Sequence, residues 1–132
     1  MRDIAEEKLR EHGIKPSHHR LRVLEYMLEN RNHPSAEVIY QALVKEIPTL
    51  SKTTVYNTVE LFLEKGVVQP IMILHNELRY DADTSFHGHF LCRKCGRIVD
   101  FFYDDEDVLP VPEGFIIEES HAYYRGVCPE CK

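Results

Sequence analysis

The chain reads as an α+β protein: an N-terminal winged helix-turn-helix followed by a small α/β domain stapled through its cysteines. Three observations predict this. Apolar residues recur at helical spacing, with a serine ahead of three of the runs, only in the first half of the 132 residues. Short segments rich in β-branched and aromatic residues fill the second half. All four cysteines fall in two C-x-x-C pairs, Cys92/Cys95 and Cys128/Cys131, a spacing that suits one structural zinc ion.

Residues 3–12 carry Ile4, Ala5, Leu9 and His12 at helical intervals. Ser17 can cap a second helix running to about Glu29, with Leu21, Leu24, Tyr26, Met27 and Leu28 as its apolar residues. Ser35, after Pro34, can cap a third that carries Val38, Ile39, Ala42 and Leu43, and Pro48 breaks it. Ser51 caps a fourth, from Ser51 to about Lys65, with Val55, Val59, Leu61, Phe62 and Leu63; Gly66 stops it. Val67–Leu74 and Glu77–Tyr80 predict two strands around a His75-Asn76 turn. Helices followed by a hairpin make a winged helix-turn-helix, assigned to residues 1–80. In residues 81–132, strands are predicted at Phe86–Cys92, Arg97–Phe102 and Phe115–Tyr124, with an acidic loop or short helix at Asp104–Asp107.

Residues 1–70 hold ten Lys/Arg and ten Asp/Glu, so the formal net charge of −6 lies in the second half. A nucleic-acid binder need not be basic overall, because local clusters carry the contacts. Ser51, Lys52, Thr53, Thr54, Tyr56, Asn57 and Thr58 crowd the start of the fourth helix with short polar and aromatic groups. That composition suits phosphate and base-edge contacts in the major groove, whereas an ordinary solvated helix face is the plainer reading. No apolar run approaches the length of a membrane span and no leader opens the chain, so a soluble, cytoplasmic protein is expected.

Four thiolates around zinc leave no open position, which makes that site structural. A redox dithiol is the weaker alternative, because exchange chemistry does not need two matched pairs. Directly before Cys92 stand His87 and His89, two apart on a predicted strand and therefore on one face. With Asp81 and Asp100 nearby in sequence, imidazole and carboxylate suit Zn, Fe(II) or Mn(II). Spacing alone leaves any further ligand open among His12, His18, His19, His33, His75 and His121.

These residues resemble the ferric uptake regulator family of bacterial metal-dependent repressors across nearly the whole chain. The matching stretches are His33-Pro34-Ser35-Ala36-Glu37-Val38-Ile39-Tyr40 and Ser51-Lys52-Thr53-Thr54-Val55-Tyr56-Asn57-Thr58-Val59, then Arg79-Tyr80-Asp81 and His87-Gly88-His89. After them come Cys92-Arg93-Lys94-Cys95-Gly96, Ile98-Val99-Asp100 and Gly126-Val127-Cys128 with Cys131. The resemblance implies a homodimer that binds double-stranded operator DNA through the winged helix and dimerises through the second domain. It implies a regulatory metal on His33, Asp81, His87, His89 and Asp100, with Fe2+ or Mn2+ bound and Zn2+ able to take the same site in vitro. Aspartate at 81 and 100 is most similar to the peroxide-sensing branch, in which Fe(II)-catalysed oxidation of a ligand histidine, matching His33 or His87, releases DNA.

The expected operator contacts are Lys15, Arg20, Lys52 and Thr54 as mainly phosphate or positioning groups and Tyr56 and Asn57 at base edges, with Ser51 at the start of the same DNA-binding helix; Lys15 and Arg20 also fall on positions that the resemblance matches. Where relatives commonly show Thr-Pro-Gln-Arg, this chain has Ser17-His18-His19-Arg20. The rival readings are an iron-sensing repressor without ligand oxidation, a small zinc hydrolase, and a zinc-stabilised interaction module. A hydrolase wants an open coordination position and a general base in a pocket, and leaves the helical half unexplained. No enzyme activity, small-molecule substrate or membrane association is therefore expected.

Overall fold

The computed structural model describes residues 1–72, 77–85, 87–102, 111–118 and 120–132. The chain divides into two compact units, Met1–Thr84 and Ser85–Lys132. The boundary expected after Tyr80 falls after Thr84 because residues 81–83 are tied to the first unit. Asp81 pairs with Gln69 in a strand ladder, Gln69 Nε2 donates to the Asp83 carbonyl at 2.7 Å, and Lys8 Nζ donates to the Ala82 carbonyl at 2.9 Å.

The first unit contains helices α1 (Arg2–Glu11), α2 (His18–Glu29), α3 (Ala36–Leu43) and α4 (Lys52–Glu64), then strands β1 (Gln69–Ile71) and β2 (Arg79–Asp81). The three expected serine caps all form. Ser17, Ser35 and Ser51 accept from the backbone N–H groups of Arg20, Val38 and Thr54 at 3.3, 3.2 and 3.1 Å. Each satisfies a donor that the first helical turn leaves without a partner. Helices α1 and α4 end alike. Gly13 and Gly66 take positive φ, and Ile14 and Val67 donate back to Leu9 and Phe62 across the final turn. That geometry closes a helix through a left-handed residue, which is why glycine stands there.

Helix α2 packs on α1, α3 and α4. Ala5, Leu9, Val23, Leu24, Met27, Ile39, Leu43, Val55, Val59 and Phe62 form one core, joined by Val67, Tyr80 and Ala82. Phe62 is fully buried, so its truncation to alanine would cost about 3–5 kcal/mol. Val38, expected on the apolar side of α3, is 40% exposed, while Val23, unremarked in the sequence, is buried. Between α3 and α4 a tight turn places Ile47 and Leu50 under the core. Strands β1 and β2 pair antiparallel, Pro70 opposite Tyr80, as a short wing; both are shorter than expected, and the proposed His75-Asn76 turn lies outside the described residues.

The second unit is a three-stranded sheet of β3 (Gly88–Cys92), β4 (Ile98–Phe101) and β5 (Ala122–Gly126), ordered β4-β3-β5. Strands β3 and β4 are antiparallel; β3 and β5 are parallel. Gly88 faces Phe101, whose ring would meet an added Cβ at 2.2 Å, so the crossing needs glycine. The strand predicted at Phe115–Tyr124 is corrected. Phe115 donates to the Pro112 carbonyl in a turn, residues 115–118 are not in a strand, and pairing begins at Ala122. Phe86 and the acidic segment Asp104–Asp107 lie outside the described residues. No helix among the described residues is long and apolar enough to cross a membrane.

Candidate metal centres and nucleic-acid interface

In the second unit the turn after β3 and the segment after β5 bring Cys92, Cys95, Cys128 and Cys131 together. Their sulfurs all lie within 4.8 Å of one another. Gly96 at φ 77° lets its N–H return to the Cys92 carbonyl at 2.9 Å, which closes the first turn. Parallel pairing puts Gly126 beside Cys92, so Cys128 arrives next to it. Cys95 Sγ and Cys128 Sγ are 3.8 Å apart, and all four cysteines are free thiols. Four sulfurs about 2.3 Å from one zinc ion stand about 3.8 Å apart in a tetrahedron, so the spacing fits zinc.

The electrostatics point the same way. Backbone N–H groups of Cys95 and Cys128 aim at Cys92 Sγ from 3.5 and 3.4 Å and hold its thiol down at about 5. Burial pushes the Cys128 thiol up. The Cys128 thiol in turn pushes Cys131 up to about 12. The Cys92 thiolate is favoured while those of Cys128 and Cys131 are penalised, a penalty that a cation shared among the sulfurs would relieve.

His33 and Asp81 lie in the first unit. Their Nε2 and Oδ2 atoms are 3.6 Å apart, and both side chains are nearly buried. Among the described residues His33 is the sole non-glycine residue with positive φ, at 52°. It sits in the loop before α3, where Arg79 Nε donates to its carbonyl and Arg79 Nη2 donates to the Asn32 carbonyl at 3.0 Å. Tyr80 N–H clamps the next carbonyl, that of Pro34, at 3.0 Å. Asp81 Oδ1 accepts the Asp83 N–H at 2.9 Å, which turns Oδ2 toward His33.

His87, His89 and Asp100 gather in the second unit. His89 is directly opposite Asp100 in the β3–β4 ladder, and the two imidazole centroids are 4.5 Å apart, on one face as strand alternation requires. His87 Nε2 and His89 Nε2 stand 3.5 Å from the two Asp100 oxygens. A carbonyl only accepts, so the 2.8 Å contact of His87 Nδ1 with the Ser85 carbonyl fixes the proton on Nδ1. In the neutral ring Nε2 is then an acceptor facing a carboxylate acceptor. Such a pair needs a cation between its members, a second proton or a metal ion. The donor set of nitrogen and oxygen fits Fe(II), Mn(II) or Zn.

On α4, Ser51, Lys52, Thr53, Tyr56 and Asn57 are exposed, Thr54 is half-buried, and Thr58 is turned inward, its hydroxyl donating to the Thr54 carbonyl at 2.7 Å. Lys52 is engaged by Glu37 at 3.2 Å and lies over the Tyr40 ring. Lys15 is exposed, and Arg20 Nη1 donates to its carbonyl at 3.0 Å. Two residues missed in the sequence are structural to these sites. Arg79 sets the His33 loop through backbone carbonyls, and Ser85 orients His87 through its own; neither role leaves a side-chain pattern to read.

The chain matches the family model for the Ferric uptake regulator family over residues 11–112. It is 37% identical over 129 residues to the peroxide operon regulator of Bacillus subtilis strain 168, covering 95% of this chain and 89% of that one. Against the peroxide-responsive repressor PerR of Staphylococcus epidermidis the identity is 34%, covering 94% and 85%. Among solved structures, PerR of Streptococcus pyogenes, described in terms of peroxide sensing and gene regulation, aligns with a TM-score of 0.55 at 28% identity, covering 99% and 92%. The manganese-bound ferric uptake regulator of Pseudomonas aeruginosa shares the fold at a TM-score of 0.75 and 22% identity, covering 96% and 98%.

Proposed function

This chain belongs to the ferric uptake regulator family, and we propose that it works there as a metal-dependent, DNA-binding transcriptional repressor that responds to peroxide. The observation that carries the reading is the pairing of histidine nitrogen with carboxylate oxygen in both units, His33 with Asp81 and His87/His89 with Asp100. The relatives named for peroxide response support the branch. The protein is a regulator rather than an enzyme, and its place is the cytoplasm.

Cys92, Cys95, Cys128 and Cys131 hold structural zinc. His33, Asp81, His87, His89 and Asp100 hold one regulatory cation, so its binding energy is fully realised only when both units contribute their donors. A ligand shifts a conformational equilibrium by its differential affinity, which favours the DNA-competent arrangement. When bound, Fe(II) supplies the electrons that activate peroxide beside its ligands. Peroxide would deliver one oxygen atom to the His33 or His87 ring and leave as water, and the oxidised ring would no longer serve as a donor to the ion.

In this reading α4 enters the major groove. Tyr56 and Asn57, both exposed, reach base edges; Lys15, Arg20, Ser51, Lys52 and Thr54 meet phosphates. The protein acts as a homodimer. Phe115, Ile116, Ile117 and Tyr124 of the second unit are 68%, 89%, 51% and 56% exposed, an apolar surface that a second copy would cover.

Gel-shift titration with Fe(II) or Mn(II), with and without peroxide, tests the proposal. Operator binding should require metal, and only the Fe(II) form should lose it to peroxide, with a gain of about 16 Da on the His33 or His87 peptide. DNA affinity unchanged across all conditions overturns it. His87→Ala should fold, keep zinc and lose metal-dependent binding.

A further inference from the structure

The first turn of α2 and the side of α4 that faces it share one concavity. Ser17, His19 and Arg20 line one wall; Thr54, Asn57, Thr58 and Leu61 line the other. Asn57 is among the residues placed at base edges above, so this concavity borders the face that α4 would present to a duplex. Among the described residues no carboxylate lines it, in a chain whose acids outnumber its bases. On the α2 side Arg20 lines the concavity with His19, and the His18 ring lies 6.1 Å from the His19 ring; α4 contributes no charged or titratable group to the lining. Glu46, the acid that feels His18, is held by Arg22 at 2.9 and 3.1 Å. Among the described residues no ion pair involves Lys15, His19 or Arg20.

A half-buried imidazole that shares its concavity with Arg20 and with no carboxylate has one favourable partner when protonated, an anion from outside. Phosphates of a duplex seated on α4 supply that chemistry, and Arg20 beside it already presents a fixed positive charge. We propose that His19 is an operator-contacting residue: its protonated imidazole adds one phosphate contact per protomer, so DNA affinity falls as pH rises. The proposal rests on the repressor reading above and adds a residue and a regulation to it. Histidine is the side-chain type whose charge changes across the physiological range.

The test uses the full-length dimer loaded with zinc and Mn(II), and the duplex that in vitro selection returns for that protein. Binding is followed by fluorescence anisotropy against salt at about pH 6 and about pH 8, either side of an ordinary imidazole at about 6.5. Each phosphate contact contributes about 0.9 to the slope of log affinity against log salt, so the wild-type slope should be steeper at the lower pH by about 1.8 per dimer. His19→Gln should show the shallow slope at both values, and His19→Arg the steep slope at both. His18→Gln should keep the wild-type difference. Equal pH responses in wild type and His19→Gln, with metal-dependent binding intact, overturn this proposal alone; so does loss of the response in His18→Gln. Absence of any metal-dependent DNA binding by the wild type overturns it together with the repressor reading.

Discussion

His33 concentrates the residue-scale argument. A β-carbon at positive φ is strained by about 1–3 kcal/mol, and such strain persists only where neighbours over-determine it. Here the neighbours are Arg79, with two carbonyl acceptors, and the Tyr80 N–H on Pro34. Arg79 is thus a positioning residue for a proposed ligand. Replacing it by glutamine should weaken Mn(II) binding by about 10–100-fold, the usual cost of losing a group that orients a ligand. Zinc content and the helical signal should be unchanged. Competition titration with a chelator checks this, and wild-type affinity in Arg79→Gln would mean the loop is held by something else. Nothing in the sequence flagged Arg79 beyond its membership of a matching stretch, because an arginine that serves backbone carbonyls looks like any other. His33 itself was one of six open candidates by spacing and was singled out only by resemblance, since its partner Asp81 is far away in sequence.

Elements were legible to the degree that their causes are local. A cap acts over three residues, so Ser17, Ser35 and Ser51 could be placed from the sequence and are found capping. The β5 strand depends on a parallel partner far back in the sequence, whereas the Phe115-Ile116-Ile117 run has strand propensity but no strand. Strand propensity describes residues that fit a half-buried pleat, and Ile116 at 89% exposure has no such surface in this chain. Strand β2 yields a pH prediction. Tyr80 is 2% exposed, and burial, aided by Glu60, pushes its phenol up to about 12. In the unfolded chain the same group ionises near 10. Its contribution to stability is complete below about pH 10 and is lost as pH rises toward 12. Alkaline unfolding followed by circular dichroism should therefore fall in that window for wild type and move upward in Tyr80→Phe. A shared midpoint would show that another group governs the alkaline limb. Ser35→Ala, which removes the α3 cap, should cost about 1 kcal/mol. For a unit of this size that lowers the melting temperature by about 4–8 °C.

The division of the whole molecule into two units sets how it should fail. Met1–Thr84 has a continuous core of fully buried side chains from four helices and the wing. Ser85–Lys132 has a three-stranded sheet whose buried apolar residues, among those described, include only Cys92 and Cys128. At about 50 residues, such a unit is near the size below which a metal or disulfide is needed to hold a fold. Because burial holds the Cys128 thiol up and the Cys128 thiol holds Cys131 up, an ion that neutralises the set would add its binding energy to the folding of this unit. Cys95→Ser should consequently behave like zinc removal by a strong chelator. The β-sheet unit should unfold, the dimer should dissociate in sedimentation, and affinity for DNA should drop even with Mn(II) present. The helical signal of the first unit and its cooperative melting should survive, since the core of that unit contains no cysteine. A zinc-free protein that remains dimeric would show that the apolar surface around Phe115–Ile117 does not depend on the staple. Joint collapse of both units on chelation would instead show that the helical unit cannot stand without its neighbour.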